Sequence, residues 1–240
     1  MRSNQLSYAS IWNRLNYNIH FRKVNPFFFG FHLLLYRKGG VFMKKLLITG
    51  FDPFGGEAIN PSWEAVQLLP DDIGSFQLTK LQLPTVFSLA SEAVITAADA
   101  LQPDAILAIG QAGGRTGITP EMVGINLRNA SIADNQGQKP VLEAIVPGAP
   151  DGYFSRIPAP AMVEAMRKAG LPAALSYSAG AFVCNDVLYS LLHHFRNTSL
   201  LIGFIHVPYI PEQAHRESFS LPLERIAEGL QLCIRQLEAR

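Results

Sequence analysis

The sequence is poor in cysteine, and its two cysteines, Cys184 and Cys233, are too few for a disulfide framework. Such a low count is typical of proteins from a reducing compartment. No apolar run reaches the roughly 20 residues that a membrane-spanning helix needs. The 20 basic and 19 acidic residues nearly balance, so we do not expect a nucleic-acid partner. No His or Cys pair has metal-ligand spacing, and we expect neither a metal nor a cofactor.

Acidic residues are absent from the first 42 positions, which carry six basic residues. The remainder, residues 43–240, holds 14 of the 20 basic residues and all 19 acidic ones. Such a break in composition indicates a boundary. We therefore expect one folded catalytic domain over residues 43–240, preceded by an N-terminal extension, residues 1–42, that is not part of the fold.

A mis-placed start would explain this extension, because Lys38-Gly39-Gly40 can be encoded by a purine-rich ribosome-binding sequence just before Met43. Two alternatives stay open, since the apolar segment 24–36 has basic residues on both sides. A signal peptide lacks its small-residue cleavage pattern here, and a membrane anchor would need a longer segment.

Short apolar runs that end at glycine alternate with helical patterns from Met43 onward. Strands are predicted at residues 45–49, 76–83, 105–109 and 200–207, with weaker extended segments at 122–127 and 173–176. Helices are predicted at residues 63–69, with Ser62 as its cap, 86–100, 159–169, 185–195 and 221–237. This alternation predicts a single α/β domain with a twisted, mostly parallel sheet sandwiched between helices. In such folds ligands bind beyond the carboxyl ends of the strands.

A cysteine nucleophile is the chemistry that the residues at these strand ends favour. Cys184 follows a small-residue turn and precedes the helix predicted from Asn185. The positive end of that helix should lower the pKa of the thiol and offer N–H groups to an oxyanion. The alternative is a buried, inert cysteine, which is the expectation for Cys233 in the last helix.

Partners for this thiol come from two other strand ends. His206 ends a strand and fits a general base, or else a structural histidine. Glu121 follows a Gly-rich loop and fits the third member of a triad, or else a surface carboxylate. The Gly-rich loops match neither phosphate-binding motif, so nucleotide binding is disfavoured.

Four motifs carry a family resemblance: TGFDPFGGEAINPSWEA, AIGQAGGRTGITPE, SAGAFVCN and FIHVPYIPEQ, in this order from Met43 onward. In order and spacing they resemble pyroglutamyl peptidase I, also called pyrrolidone-carboxylate peptidase. The resemblance implies a cytoplasmic cysteine peptidase of phosphorylase/hydrolase-like fold, without metal and usually homotetrameric, that acts on peptides with an N-terminal L-pyroglutamate. It implies a triad of Cys184, His206 and Glu121. It places the substrate pocket at Phe51, Phe54, Asn60, Gln111, Phe182 and Val183.

One position departs from the family pattern. The family commonly has an arginine in a segment such as NARIPDN, and here residues 129–135 read NASIADN with Ser131 in its place. Arg128, three residues earlier, is the candidate to replace that charge, and the rate of the enzyme depends on whether it does. A nucleoside-phosphorylase-like enzyme and a catalytically weak relative that binds pyroglutamyl peptides remain as alternatives.

Overall fold

The computed structural model describes residues 37–38, 41–214 and 218–239, so the predicted extension at 1–42 lies almost wholly outside the described residues. The strands are β1 Arg37–Lys38, β2 Val41–Phe42, β3 Lys44–Phe51, β4 Asp72–Ile73, β5 Phe76–Leu83, β6 Ala105–Gln111, β7 Thr119–Pro120, β8 Val123–Ile125, β9 Gly152–Phe154 and β10 Leu201–Val207. The α-helices are α1 Pro61–Leu68, α2 Leu89–Leu101, α3 Ala159–Lys168, α4 Val183–His194 and α5 Leu223–Gln236. Two 3₁₀ turns cover Pro211–Gln213 and Leu237–Ala239.

Six strands form the main sheet in the order β4-β5-β3-β6-β10-β7. The four central strands run parallel to one another. The two-residue strands at the edges, β4 and β7, pair antiparallel to their neighbours. The predicted mostly parallel sheet is therefore confirmed. Two further antiparallel pairs, β1–β2 and β8–β9, lie outside this sheet.

The central strands are apolar on both faces, and their side chains alternate between two buried clusters. Leu46 and Ile48 pack with residues of α1, α3 and α5, whereas Leu47 packs with residues of α2 and α4. Each fully buried Leu or Ile contributes about 1.5–3 kcal/mol to this arrangement. The result is the predicted sandwich of helices around one sheet. Cys233 is fully buried in the first cluster, as predicted.

The two helices that border the strand ends begin earlier than the sequence predicts. Asn60, not Ser62, caps α1, because its Oδ1 accepts a hydrogen bond from Ser62 N at 3.1 Å. The Ser62 hydroxyl instead accepts from Phe51 N at 3.0 Å and so ties the helix to the end of β3. Helix α4 starts at Val183, which places Cys184 inside its first turn rather than before the helix.

Other predictions are corrected by local backbone geometry. Helix α2 starts at Leu89 instead of residue 86, because Ser88 adopts a positive φ of 62° that no helix continues through. Residues 173–176 form isolated bridges at Ala173 and Ser176 and not a strand. Among the helices of the described part of the chain, none is long and apolar enough to cross a membrane.

Candidate active site

The carboxyl ends of the two neighbouring strands β6 and β10 define the place where the predicted triad meets. His206 on β10 lies opposite Gly110 on β6 in the parallel register. Gly110 in turn lies against the sulfur of Cys184, because a methyl group added at Gly110 would be 2.9 Å from Cys184 Sγ. The thiol and the imidazole, which are 22 residues apart in the sequence, line the same cavity.

Strand β7 brings the third residue to this position. Thr119 pairs with His206 across the antiparallel β7–β10 contact, and Glu121 N donates to the carbonyl of Phe204 at 2.9 Å. The side chains then meet, with 2.7 Å between Glu121 Oε1 and His206 Nδ1. Both side chains are almost fully buried. Because a carboxylate accepts, His206 carries its proton on Nδ1 and leaves Nε2 free as an acceptor.

Arg115, which lies in the motif AIGQAGGRTGITPE, is a further residue of this site for which no role was predicted. Its Nη2 lies 2.9 Å from Glu121 Oε1, the same oxygen that His206 contacts. The guanidinium also donates to the Thr119 hydroxyl at 2.6 Å and to the Ser178 carbonyl at 3.0 Å. The available signal was its position at the end of the Gly-rich loop that follows β6.

The charged groups next to His206 are Glu121 and Arg115, which form an ion pair. Burial acts to raise the pKa of Glu121, but the hydrogen bond and charge of His206, the Ser176 hydroxyl and Arg115 outweigh it and hold that pKa below its ordinary value. Burial lowers the pKa of His206, which Glu121 restores only in part while Arg115 lowers it further. The resting imidazole is therefore neutral at neutral pH.

The thiol differs from the sequence-based expectation. The pKa of Cys184 is raised to about 12, mainly by burial and also by the charge of the Glu121 carboxylate, while Arg115 and the backbone N–H of Cys184 oppose this rise. A helix end contributes at most about 2 kcal/mol. The rise from 9.0 to about 12 corresponds to about 4 kcal/mol, so desolvation outweighs the helix. The expected lowering of the thiol pKa is therefore wrong, because the net shift is upward and favours the protonated thiol.

A cavity of about 300 Å³ opens above the thiol and the imidazole. Its lining includes Phe51, Phe54, Asn60, Gln111 and Phe182, five of the six residues expected to form the pocket. The side chain of the sixth, Val183, is fully buried in the apolar cluster between the sheet and α2 and α4, and it does not line the cavity.

Aromatic rings form one wall of the cavity. Phe182 lies between Phe54, with 6.1 Å between ring centroids, and Phe87, which meets it edge-on at 5.2 Å. Asn60 contributes to the lining without a free polar group, because its Nδ2 donates to Asp52 O at 2.9 Å and its Oδ1 accepts from Ser62. The cavity thus has one aromatic wall beside a cysteine.

The structure also decides the role of Arg128. Its Nε lies 2.6 Å from Asp186 Oδ1 and its Nη2 donates to the Ser88 hydroxyl at 3.0 Å, so it joins α2 to α4 away from the cavity lining. Ser131 is exposed. Arg128 therefore does not bring a charge into the cavity, and the cation that lines the cavity is Arg115.

No group of three His, Cys, Asp or Glu side chains suited to a metal ion occurs among the residues that the structure describes. His193 in α4 contacts the Tyr153 hydroxyl through Nδ1 at 3.0 Å.

Comparison with protein families gives one match, which spans nearly all of the described chain. The model of the family described as pyroglutamyl peptidase matches residues 44–239. The pyrrolidone-carboxylate peptidase of Enterobacter sp. (strain 638) is 47% identical over 196 residues, which cover 80% of this chain and 92% of that protein. The pyrrolidone-carboxylate peptidase of Yersinia pestis (strain Pestoides F) is 48% identical over 197 residues with the same coverage.

Solved structures agree with these matches. The crystal structure of pyroglutamyl peptidase I from Bacillus amyloliquefaciens is similar with a TM-score of 0.79 and 46% identity, covering 82% of this chain and 98% of that one. A mutant pyrrolidone carboxyl peptidase from Pyrococcus furiosus is similar with a TM-score of 0.77 and 39% identity, covering 81% of this chain and 98% of that one.

Proposed function

The chain belongs to the pyroglutamyl peptidase family, and on this premise we propose that it removes N-terminal L-pyroglutamyl residues with Cys184 as its nucleophile. The enzyme is a cysteine peptidase of this family, and neither the phosphorylase-like alternative nor a purely binding relative is favoured by the comparisons. In this proposal His206 is the general base and Glu121 orients it.

The geometry supports a proton transfer that accompanies attack. Cys184 is protonated at rest, so His206 Nε2 takes the thiol proton as the sulfur forms its bond to the substrate carbonyl carbon. The resulting imidazolium is stabilised by Glu121, which lies 2.7 Å from its other nitrogen. His206 then returns the proton to the leaving amine as the carbon–nitrogen bond breaks. Water, activated by the same base, hydrolyses the thioester and releases pyroglutamate.

Helix α4 supplies the oxyanion site in this proposal. The first N–H groups of an α-helix have no partner inside the helix, and Cys184 lies in that first turn. A tetrahedral oxyanion formed on the carbonyl beside the sulfur can accept hydrogen bonds from these groups. Each such donor typically contributes about 3 kcal/mol to the transition state.

The single observation that carries the substrate assignment is the composition of the cavity lining. Among the described residues the lining holds a cysteine and a histidine but no Asp or Glu, since Glu121 is covered by His206 and Arg115. A peptidase that binds a free N-terminal ammonium needs a carboxylate to hold it. A neutral pyroglutamyl lactam needs none, and the wall formed by Phe54 and Phe182 suits one face of its flat ring.

The proposal also covers properties that the resemblance implies. We propose that the enzyme acts in the cytoplasm, assembles as a homotetramer, and needs no metal or cofactor, with residues 43–240 sufficient for activity. Light scattering measures the assembly, and activity in the presence of a chelator tests the metal requirement. The chain that starts at Met43 should match the full chain in kcat.

A fluorogenic amide of pyroglutamate tests the function directly. The wild-type enzyme should hydrolyse it without added phosphate and should lose activity on thiol alkylation, whereas a phosphorylase would require phosphate. Cys184→Ser should abolish hydrolysis and keep the circular dichroism spectrum and melting temperature, while Cys233→Ser serves as the control for the other thiol. Hydrolysis by Cys184→Ser at the wild-type rate would overturn the nucleophile assignment.

A further inference from the structure

Gln213 is a buried glutamine beside the cavity to which the mechanism gives no role. It lies in the 3₁₀ turn after β10 and is 3% exposed. Its Nε2 is 3.2 Å from the Ile59 carbonyl, 3.3 Å from Gln111 Oε1 and 3.4 Å from Glu57 Oε2. One amide therefore connects the loop after β3, the end of β6 and the turn after β10.

The chemistry of these neighbours fixes the orientation of two amides in turn. A backbone carbonyl can only accept a hydrogen bond, and a carboxylate accepts as well, so the Gln213 atom that faces Ile59 and Glu57 must be its nitrogen. Because that nitrogen also faces Gln111, the Gln111 atom that meets it must be the acceptor, Oε1. The Ile59 carbonyl thus selects, through Gln213, one of the two possible orientations of the Gln111 amide.

This orientation leaves the donor end of Gln111 for the cavity. Gln111 is 8% exposed, lines the cavity together with Cys184, and its Nε2 forms no hydrogen bond with any residue in the described ranges. A nearly buried amide nitrogen without a protein partner, at the edge of a cavity, is matched by a ligand that brings an acceptor.

We propose that Gln213 is a positioning residue that sets substrate specificity, because it holds Gln111 with its amide N–H groups toward the ring carbonyl of the pyroglutamyl substrate. This inference rests on the proposed function, since the acceptor it requires is the lactam oxygen. Proline has the same five-membered ring without that oxygen. Gln213 itself touches no substrate and acts through Gln111.

The test compares Gln213→Met, which keeps the length of the side chain and removes its amide, with the wild-type enzyme. KM for the fluorogenic pyroglutamyl amide should rise about 2- to 10-fold, the value of one net hydrogen bond. The kcat should stay within twofold, because the ring carbonyl is remote from the bond that breaks. The inhibition constant of 2-pyrrolidone, which carries the lactam alone, should rise by the same factor. Gln67→Met, on the exposed face of α1, is the matched control.

A double-mutant cycle separates this role from a merely structural one. If Gln213 acts through Gln111, the pair Gln111→Met and Gln213→Met together should raise KM no more than Gln111→Met alone. The rate of Cys184 alkylation should be that of the wild type in each folded variant. Should Gln213→Met fail to fold, Gln213→Leu replaces it, because it also removes the amide, brings no charge next to Glu57 and should raise KM by the same factor.

An unchanged KM in a folded Gln213 variant, or additive effects in the double mutant, would overturn the inference. These results are distinct from a failure of the proposed function, which would appear as wild-type enzyme that does not cleave the pyroglutamyl amide at all.

Discussion

The replacement Gly110→Ala tests whether the position of the Cys184 sulfur depends on the missing side chain of Gly110. The added methyl group would lie 2.7 Å from Phe204 Cζ and 2.9 Å from Cys184 Sγ. Nonbonded heavy atoms prefer about 3.5–4.0 Å, so these neighbours must move by close to 1 Å. Overpacking of this kind costs about 1–3 kcal/mol of stability. A 1 Å misplacement of a reacting group can cost about 100-fold in rate.

Gly203→Ala, in the neighbouring strand β10, is the matched control, because its methyl group would lie 2.4 Å from Ile157 Cδ1 and would meet no residue of the cavity. Urea denaturation measures stability, and kcat for the fluorogenic pyroglutamyl amide is normalised to folded enzyme. Both variants should lose stability, whereas only Gly110→Ala should lose about 100-fold in kcat. If Gly110→Ala kept kcat within twofold of the wild type, the contact between β6 and the sulfur would not position the nucleophile.

Three further predictions concern charge and the apolar slot. Arg115→Gln should reduce kcat about 10-fold or more, since a hydrogen bond to a charged group contributes about 1.5–3 kcal/mol. It should also move the acid limb of the pH profile to higher pH, because Arg115 lowers the pKa of His206. Arg128→Gln is its control outside the cavity. It should lower stability by about 3 kcal/mol, because the buried Asp186 carboxylate loses its cation, and it should keep the wild-type pH profile. Equal shifts of the pH profile in both variants would contradict the assignment of Arg115 to the site. In the wild type, kcat/KM should stay high as the pH falls below 6.5 and decline only through the lowered pKa of His206, so an acid limb above 6.5 would be the opposite result. Phe182→Ala should raise KM for pyroglutamyl substrates, as steady-state kinetics would show, and an unchanged KM would mean that this ring is only part of the core.

The central sheet could be predicted from the sequence because its strands are short apolar runs that end at glycine, as at residues 105–109. Strand β7 could not, because two residues have no periodicity to detect. Yet this strand is what brings Glu121 beside His206. The sequence therefore offered the three residues as candidates from their positions at strand ends, and the resemblance assigned them to one triad. The contact between Glu121 and His206 depends on an edge strand that only the folded chain forms.

The pKa shifts that depend on burial also could not be predicted from the sequence. The start of a helix near Cys184 was visible in the pattern, and it correctly indicated a positive end beside the sulfur. The thiol pKa of about 12 reflects burial together with the charge of Glu121, which comes from a distant segment of the chain. The roles of Arg115 and Gln213 were hidden for the same reason, because each acts through contacts with other loops.

The charges of the site explain why a partly buried, protonated thiol suits the proposed reaction. Glu121 and Arg115 neutralise each other beside the cavity, so an uncharged lactam enters a slot with no net charge to desolvate. A thiolate–imidazolium pair formed before the substrate binds would add two more charges where burial disfavours the charged forms of both groups. In the proposed mechanism, the negative charge that forms as the sulfur attacks the substrate carbonyl lies on the oxyanion beside the α4 N–H groups, and the positive charge forms on His206 against Glu121. Charges therefore separate only during the attack, when the oxyanion and the imidazolium each have a partner.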